Sequence, residues 1–122
     1  MLDHRLDAAT GILHLHPKGA LEKEDFVKLA RTVDPHIEKQ GALAGVIVDA
    51  ARFPGWDSLG AMAAHVRFVR DHHRKVRKIA VVTDGAIGSA AEKLASHFVA
   101  ATVKRFQAGE TKAAEDWILG KP

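Results

Sequence analysis

Three aspartates, Asp49, Asp57 and Asp84, stand at or just after the ends of apolar stretches, and carboxylates so placed can hold a divalent metal or move protons. Their surroundings complete neither chemistry, because no histidine is placed by sequence to work with them and strand-end carboxylates also cap helices. Eight histidines raise a metal site separately. His14 and His16, two apart on an alternating stretch, project from one face of a strand, but a metal needs three or four ligands and no third lies near. His72 and His73 are adjacent at the end of a helical stretch and diverge, which suits positive charge at a helix C-terminus. We therefore expect no catalytic residue, no metal and no cofactor. Ser58 follows Asp57 at a helix start, where its hydroxyl can cap the helix and where a phosphate would also be well placed against the N-terminal N–H groups. Trp56, beside Pro54-Gly55 and close to Phe53, either packs on the helix it introduces or contacts a ligand.

The elements that must position these residues follow from the hydrophobic pattern. Ala44-Gly45-Val46-Ile47-Val48-Asp49 and Lys78-Ile79-Ala80-Val81-Val82-Thr83-Asp84 are short, β-branched apolar runs, which predicts strands at 43–49 and 78–84 buried on both faces. The segment between them is long enough for a crossover helix, so the two strands should be adjacent and parallel. Sites in such sheets form at the carboxyl ends of strands, which directs attention to the loop from Ala50 to Ser58. Before this unit, Leu2, His4 and Leu6 and then Ile12, Leu13, His14, Leu15 and His16 read as a hairpin turned at Ala8–Gly11. A helix then opens on Glu22, Glu24 and Asp25, keeps Phe26, Leu29, Ala30, Val33 and Ile37 on one face, is bent or ended near Pro35, and stops at Gly41.

Past the loop, the spacing of Leu59, Met62, Ala63, Val66 and Val69 predicts these as the inner face of a second helix. Ser89 to Glu92 has capping-box spacing and predicts a third helix from about residue 90. Thr102–Gln107 alternates like an edge strand, and Ala113, Ala114, Trp117 and Ile118 mark a short terminal helix. The sum is one α/β domain over 1–122, with a mixed, mostly parallel sheet of about five strands covered by helices.

Composition narrows the function classes. The absence of cysteine removes disulfides, thiolate nucleophiles and zinc ribbons, and with no apolar leader or spanning run it points to a soluble, cytoplasmic protein. The formal charge of +3 is unevenly held, since six cations against Asp71 give residues 67–78 a net +5 and leave −2 for the remainder. That run has little aromatic interleaving, and neither G-x-G-x-x-G nor a G-K-[ST] loop occurs, so neither nucleic acid nor a nucleotide is expected.

The order and spacing of Gly45-Val46-Ile47-Val48-Asp49, Phe53-Pro54-Gly55-Trp56-Asp57 and Lys78-Ile79-Ala80-Val81-Val82-Thr83-Asp84 resemble the SpoIIAA-like family, relatives of the STAS domain. Arg105-Phe106 followed by Glu110, Ala113, Ala114 and Trp117 looks like that family's tail. The resemblance covers nearly the whole chain. It implies a β-α superhelix with no recognised catalytic residues and a fold similar to that of CRAL-TRIO lipid-transfer domains, which hold an apolar ligand. In STAS antagonists a serine at the matching helix start is phosphorylated to switch partner binding; Asp57-Ser58-Leu59-Gly60 matches that stretch without its second serine.

The leading expectation is a non-enzymatic domain that binds a small apolar or lipid-like ligand through Phe53, Trp56, Asp57, Ser58 and Met62. It would meet an anionic membrane, at the inner face, through Arg67, Arg70, Arg74, Lys75 and Arg77. The alternative is a regulatory module that contacts a protein partner and is switched at Ser58. The hairpin and the Thr102–Gln107 edge leave room for a homodimer.

Overall fold

The computed structural model describes residues 1–50, 55–84 and 100–121. Alternation in the first seventeen residues gives an antiparallel hairpin, β1 (Leu2–Asp7) and β2 (Ile12–Pro17), in which Leu6 faces Leu13 and Arg5 faces His14. β2 then pairs in parallel with β3 (Leu43–Asp49), β3 with β4 (Val76–Val82) and β4 with β5 (Thr102–Phe106). The strand order is therefore the chain order, β1-β2-β3-β4-β5, with β1 and β5 at the edges. The adjacency and direction of β3 and β4 are as the two apolar runs require, and β5 is the edge expected at Thr102–Gln107.

Period-2 alternation makes each buried strand serve two cores. On one face Ile12, Ile47, Ala80, Val82 and Phe106 pack with Ala114 and Ile118 of α3 (Thr111–Ile118). On the other, Leu13, Leu43 and Val46 pack with Leu29 and Val33 of α1 (Lys23–Gln40). Gly45 is the close-approach point of the first core, for a Cβ built there would stand 2.6 Å from Cγ2 of Ile118. Only glycine lets α3 come this near the strand.

α1 begins where the acidic cluster predicts, and its buried carboxylate is structural. Asp25 accepts from the backbone N–H groups of Glu22 (2.8 Å) and Leu2 (3.2 Å), and it lies 3.5 Å from the Met1 ammonium, so it ties the first strand to the first helix. The helix is not ended by Pro35. It runs to Gln40 and closes at Gly41, whose φ of 89° suits glycine. Pro35 is exposed, so the Arg31 carbonyl that it cannot serve lies on the solvent side, where water can replace the lost donor.

α2 (Leu59–His72) corrects the expectation drawn from its apolar spacing. Leu59 is 80% exposed and Val66 62%, and Met62 and Ala63 are exposed as well, so most of the predicted inner face points outward. The inward face carries Ala61, His65, Phe68 and His72 instead, and it packs chiefly on α1. Two histidines do work that a hydrophobicity count assigns to leucines. The expected third helix near residue 90 lies outside the described residues.

Candidate functional site

Ser58 is the N-cap of α2, its Oγ accepting from the Ala61 N–H at 3.0 Å. Just before it the chain is pinned to the start of α1: Leu21 N donates to the Gly55 carbonyl (2.8 Å), and Asp57 N donates to the Leu21 carbonyl (3.0 Å). Trp56 thus projects from a short parallel bridge with Leu21, and its indole Nε1 donates to His65 Nδ1 at 3.1 Å. That bond requires His65 Nδ1 to be unprotonated. Burial of the imidazole pushes its pKa down from the usual value, which favours the required neutral form. Behind it Phe26 stacks on the His65 ring at 4.9 Å.

At the other end of α2, His72 stacks on Phe68 at 4.0 Å, with Nδ1 2.7 Å from the Phe68 carbonyl and Nε2 2.7 Å from Asp34 Oδ1. The ring thus bridges a backbone carbonyl of its own helix and a carboxylate of α1. His65, midway along α2, thus joins the helix to Trp56 and Phe26, and His72 joins its end to Asp34. Between them runs an open groove of about 660 Å³ that separates α1 from α2. Phe26, Ala30, Ala64 and Phe68 form its apolar floor, and Lys23, Arg31 and Arg67 lie along it.

The sequence-predicted ligand residues gather only in part. Trp56, Asp57 and Ser58 are together at the carboxyl edge of the sheet, Met62 is one turn along α2 on its outer side, and Phe53 lies outside the described residues. Directly inside Trp56 the space is taken by His65 and Phe26. The cations Arg67, Arg70, Arg74, Lys75 and Arg77 are all exposed, and they run from the middle of α2 through a 3-10 turn (His73–Lys75) into β4. Arg74 to Arg77 consequently lie at the amino edge of the sheet, at the far end of a helix roughly 20 Å long from the Trp56 loop, although the two are neighbours in sequence.

The other chemistry-bearing residues occupy structural or surface positions. Asp84 Oδ1 accepts from Ala108 N at 3.1 Å, and His73 Nδ1 from Ala100 N at 2.9 Å. His14 sits across from Arg5 and His16 across from Asp3 on the hairpin. Burial, and then the Arg5 guanidinium, push the His14 pKa down against the pull of Glu115 and Asp7. Among the described residues no three of His, Asp and Glu are grouped so as to hold a metal ion. No described helix is long and apolar enough to cross a membrane.

Sequence reasoning missed the α1–α2 groove and the histidines that frame it. A signal was present, since His65, Phe68 and His72 share one helical face, opposite the stripe whose hydrophobicity is larger. Read as flat aromatic surfaces, they mark the packed side.

The SpoIIAA-like family model matches residues 12–119. In fold, the chain is similar to an uncharacterised protein of the DUF3478 family with a SpoIIAA-like fold from Shewanella loihica PV-4, with a TM-score of 0.76 and 19% identity over 97% of this chain and 92% of that one. No curated protein matches.

Proposed function

Given that the chain belongs to the SpoIIAA-like family, we propose that it is a non-enzymatic domain that takes a lipid-like ligand and meets anionic membrane surfaces through the outer face of α2. The observation that carries this reading is the composition of that face. Leu59, Met62 and Val66 stand exposed in its first half, with Trp56 38% exposed just before it, and Arg67 and Arg70 follow on the same helix, with Arg74 beyond its end. On the helical wheel Leu59, Ala63, Val66 and Arg70 fall within a sector of roughly 60° at about 100° per residue. An apolar stripe that runs into cations is the pattern of a helix lying in a lipid interface, where apolar contact and attraction to anionic headgroups add. Each cation near such a surface contributes about 1 kcal/mol, so attachment would be weak, reversible and screened by salt.

Sedimentation with phosphatidylserine-containing and phosphatidylcholine vesicles over a salt series tests the proposal. Binding to the anionic vesicles at low salt, weakened by Leu59→Ser with Val66→Ser and separately by Arg70→Glu with Arg74→Glu, is the expected result. If anionic vesicles do not bind at low salt, or both double variants leave binding unchanged, the reading is abandoned.

A second reading is favoured by the place of Ser58, exposed at the head of the same apolar stripe. There the stripe would contact a protein partner, and phosphorylation would add charge beside it. A partner retained by the native chain and released by Ser58→Asp, with no vesicle binding by either, supports the module instead.

A further inference from the structure

We propose that the α1–α2 groove is a binding site for a single-chain anionic amphiphile, an unbranched apolar chain ending in a carboxylate. The inference deepens the lipid-like reading above by naming the ligand and its site, and it moves the ligand from the Trp56 loop to the space between the helices. Two features of the groove select this chemistry. The floor supplied by Phe26, Ala30, Ala64 and Phe68 is apolar and long in the direction of the helices, suited to a chain and offering nothing to a small hydrated anion. Its charges are the second feature, because the acidic and basic groups are not equivalent.

Both carboxylates that line the groove are already hydrogen-bonded by neighbouring side chains. Asp34 accepts from His72 at 2.7 Å, and Asp71 accepts from Arg70 Nε at 3.0 Å. Lys23, Arg31 and Arg67, which line the same groove, make no ion pair among the described residues. The groove thus combines an apolar floor with three cations that make no ion pair among the described residues. An uncharged chain would fill the floor and leave the cations as they are; acetate would neutralise a cation and leave the floor wet. A chain with a terminal carboxylate answers both, the head accepting charge-assisted hydrogen bonds from a guanidinium fork while the tail covers Phe26 and Phe68. A groove of about 660 Å³ lies within the usual range for small-molecule sites.

Isothermal titration of the full chain with decanoate below its micelle concentration, with acetate and decanol as comparators, tests the assignment. Decanoate should bind one to one, acetate should not bind detectably, and decanol should bind at least about tenfold more weakly. Arg31→Glu with Arg67→Glu should weaken decanoate by about tenfold or more, and Ala30→Trp, which fills the floor without touching a charge, should abolish it. Ala30→Trp should leave phosphatidylserine vesicle sedimentation as it is in the native chain, so loss of decanoate binding and loss of membrane attachment are read separately. The proposal is overturned by an absence of saturable decanoate binding, by decanol binding as tightly as decanoate, or by decanoate binding that survives both sets of substitutions.

Discussion

α2 and α3 both carry apolar residues at helical spacing, and they use them in opposite ways. In α3 the apolar side is fully committed to the sheet: Ala114 and Ile118 are buried against β3 and β5, and Trp117 lies beside Phe106 at 5.8 Å. Lysines seal that helix, Lys78 Nζ donating to the Trp117 carbonyl at 2.7 Å while it lies 5.1 Å from the ring centroid. In α2 only Ala61 is fully buried, and the larger aliphatics face solvent. A helix of eight residues is held by the core, whereas one of fourteen is held largely by aromatic and histidine contacts to α1. Apolar spacing identifies a helical face, but the partner decides whether that face is core or working surface.

The sharpest test of this contrast is at the α3 contact. Ile118→Ala should destabilise by about 2–5 kcal/mol in denaturant unfolding, as expected for a buried aliphatic packed on a strand. Gly45→Ala should cost about 1–3 kcal/mol, because the added methyl overlaps Ile118. The two changes share one space, so the double variant should be less destabilised than the sum of the singles. Additivity would mean that α3 does not rest on Gly45, and the comparison would lose its first half.

How far the sequence was legible divides along the same line. The parallel pairing of β3 and β4, the hairpin, the Ser58 cap and the terminal helix were all readable, since each rests on a local rule: β-branched runs make strands, a hydroxyl before an apolar helix caps it, and alternation marks a hairpin. The SpoIIAA-like family was legible in the motifs around Asp49 and Trp56 and is shown by the family match over 12–119. The inner face of α2 was not. Hydrophobic periodicity ranks Leu59 and Val66 above His65 and His72, while packing ranks side chains by the partners available, and Phe26, Phe68 and Asp34 are partners suited to flat, hydrogen-bonding rings. Proximity along the chain also misled, for the Trp56 loop and the Arg74–Arg77 cations are near in sequence and lie at opposite ends of α2.

An intermediate effect is expected at the histidine contacts, and its pH dependence has a definite sign. The folded pKa of His65 is lowered by burial, so below the ordinary value of 6.5 the unfolded chain binds the proton more readily than the folded one. The contribution of His65 is therefore complete above about pH 6.5 and is lost as pH falls below it toward the depressed folded value. In a Trp117→Phe background, where Trp56 is the remaining tryptophan, indole fluorescence should change over that acidic window as protonation of Nδ1 removes the acceptor for Trp56. His65→Phe keeps an aromatic face toward Phe26 but cannot titrate, and it should abolish the window. A fluorescence transition that persists in His65→Phe would assign it to another group and break the account of how the start of α2 is held.

The smallest effect on stability should come from the residues that hydrophobicity ranks highest in α2. Leu59 and Val66 are 80% and 62% exposed, so replacing both with serine removes little area that folding hides from water. Each change should lie within about 0.5 kcal/mol of neutral, well below Ile118→Ala. If the pair instead destabilises by more than about 2 kcal/mol, the stripe is core in solution and something in the folded chain covers it. Near-neutral stability together with loss of vesicle binding would mean the opposite. It would separate surface held for a partner from surface held for the fold, on a single helix whose apolar residues cannot be sorted by type alone.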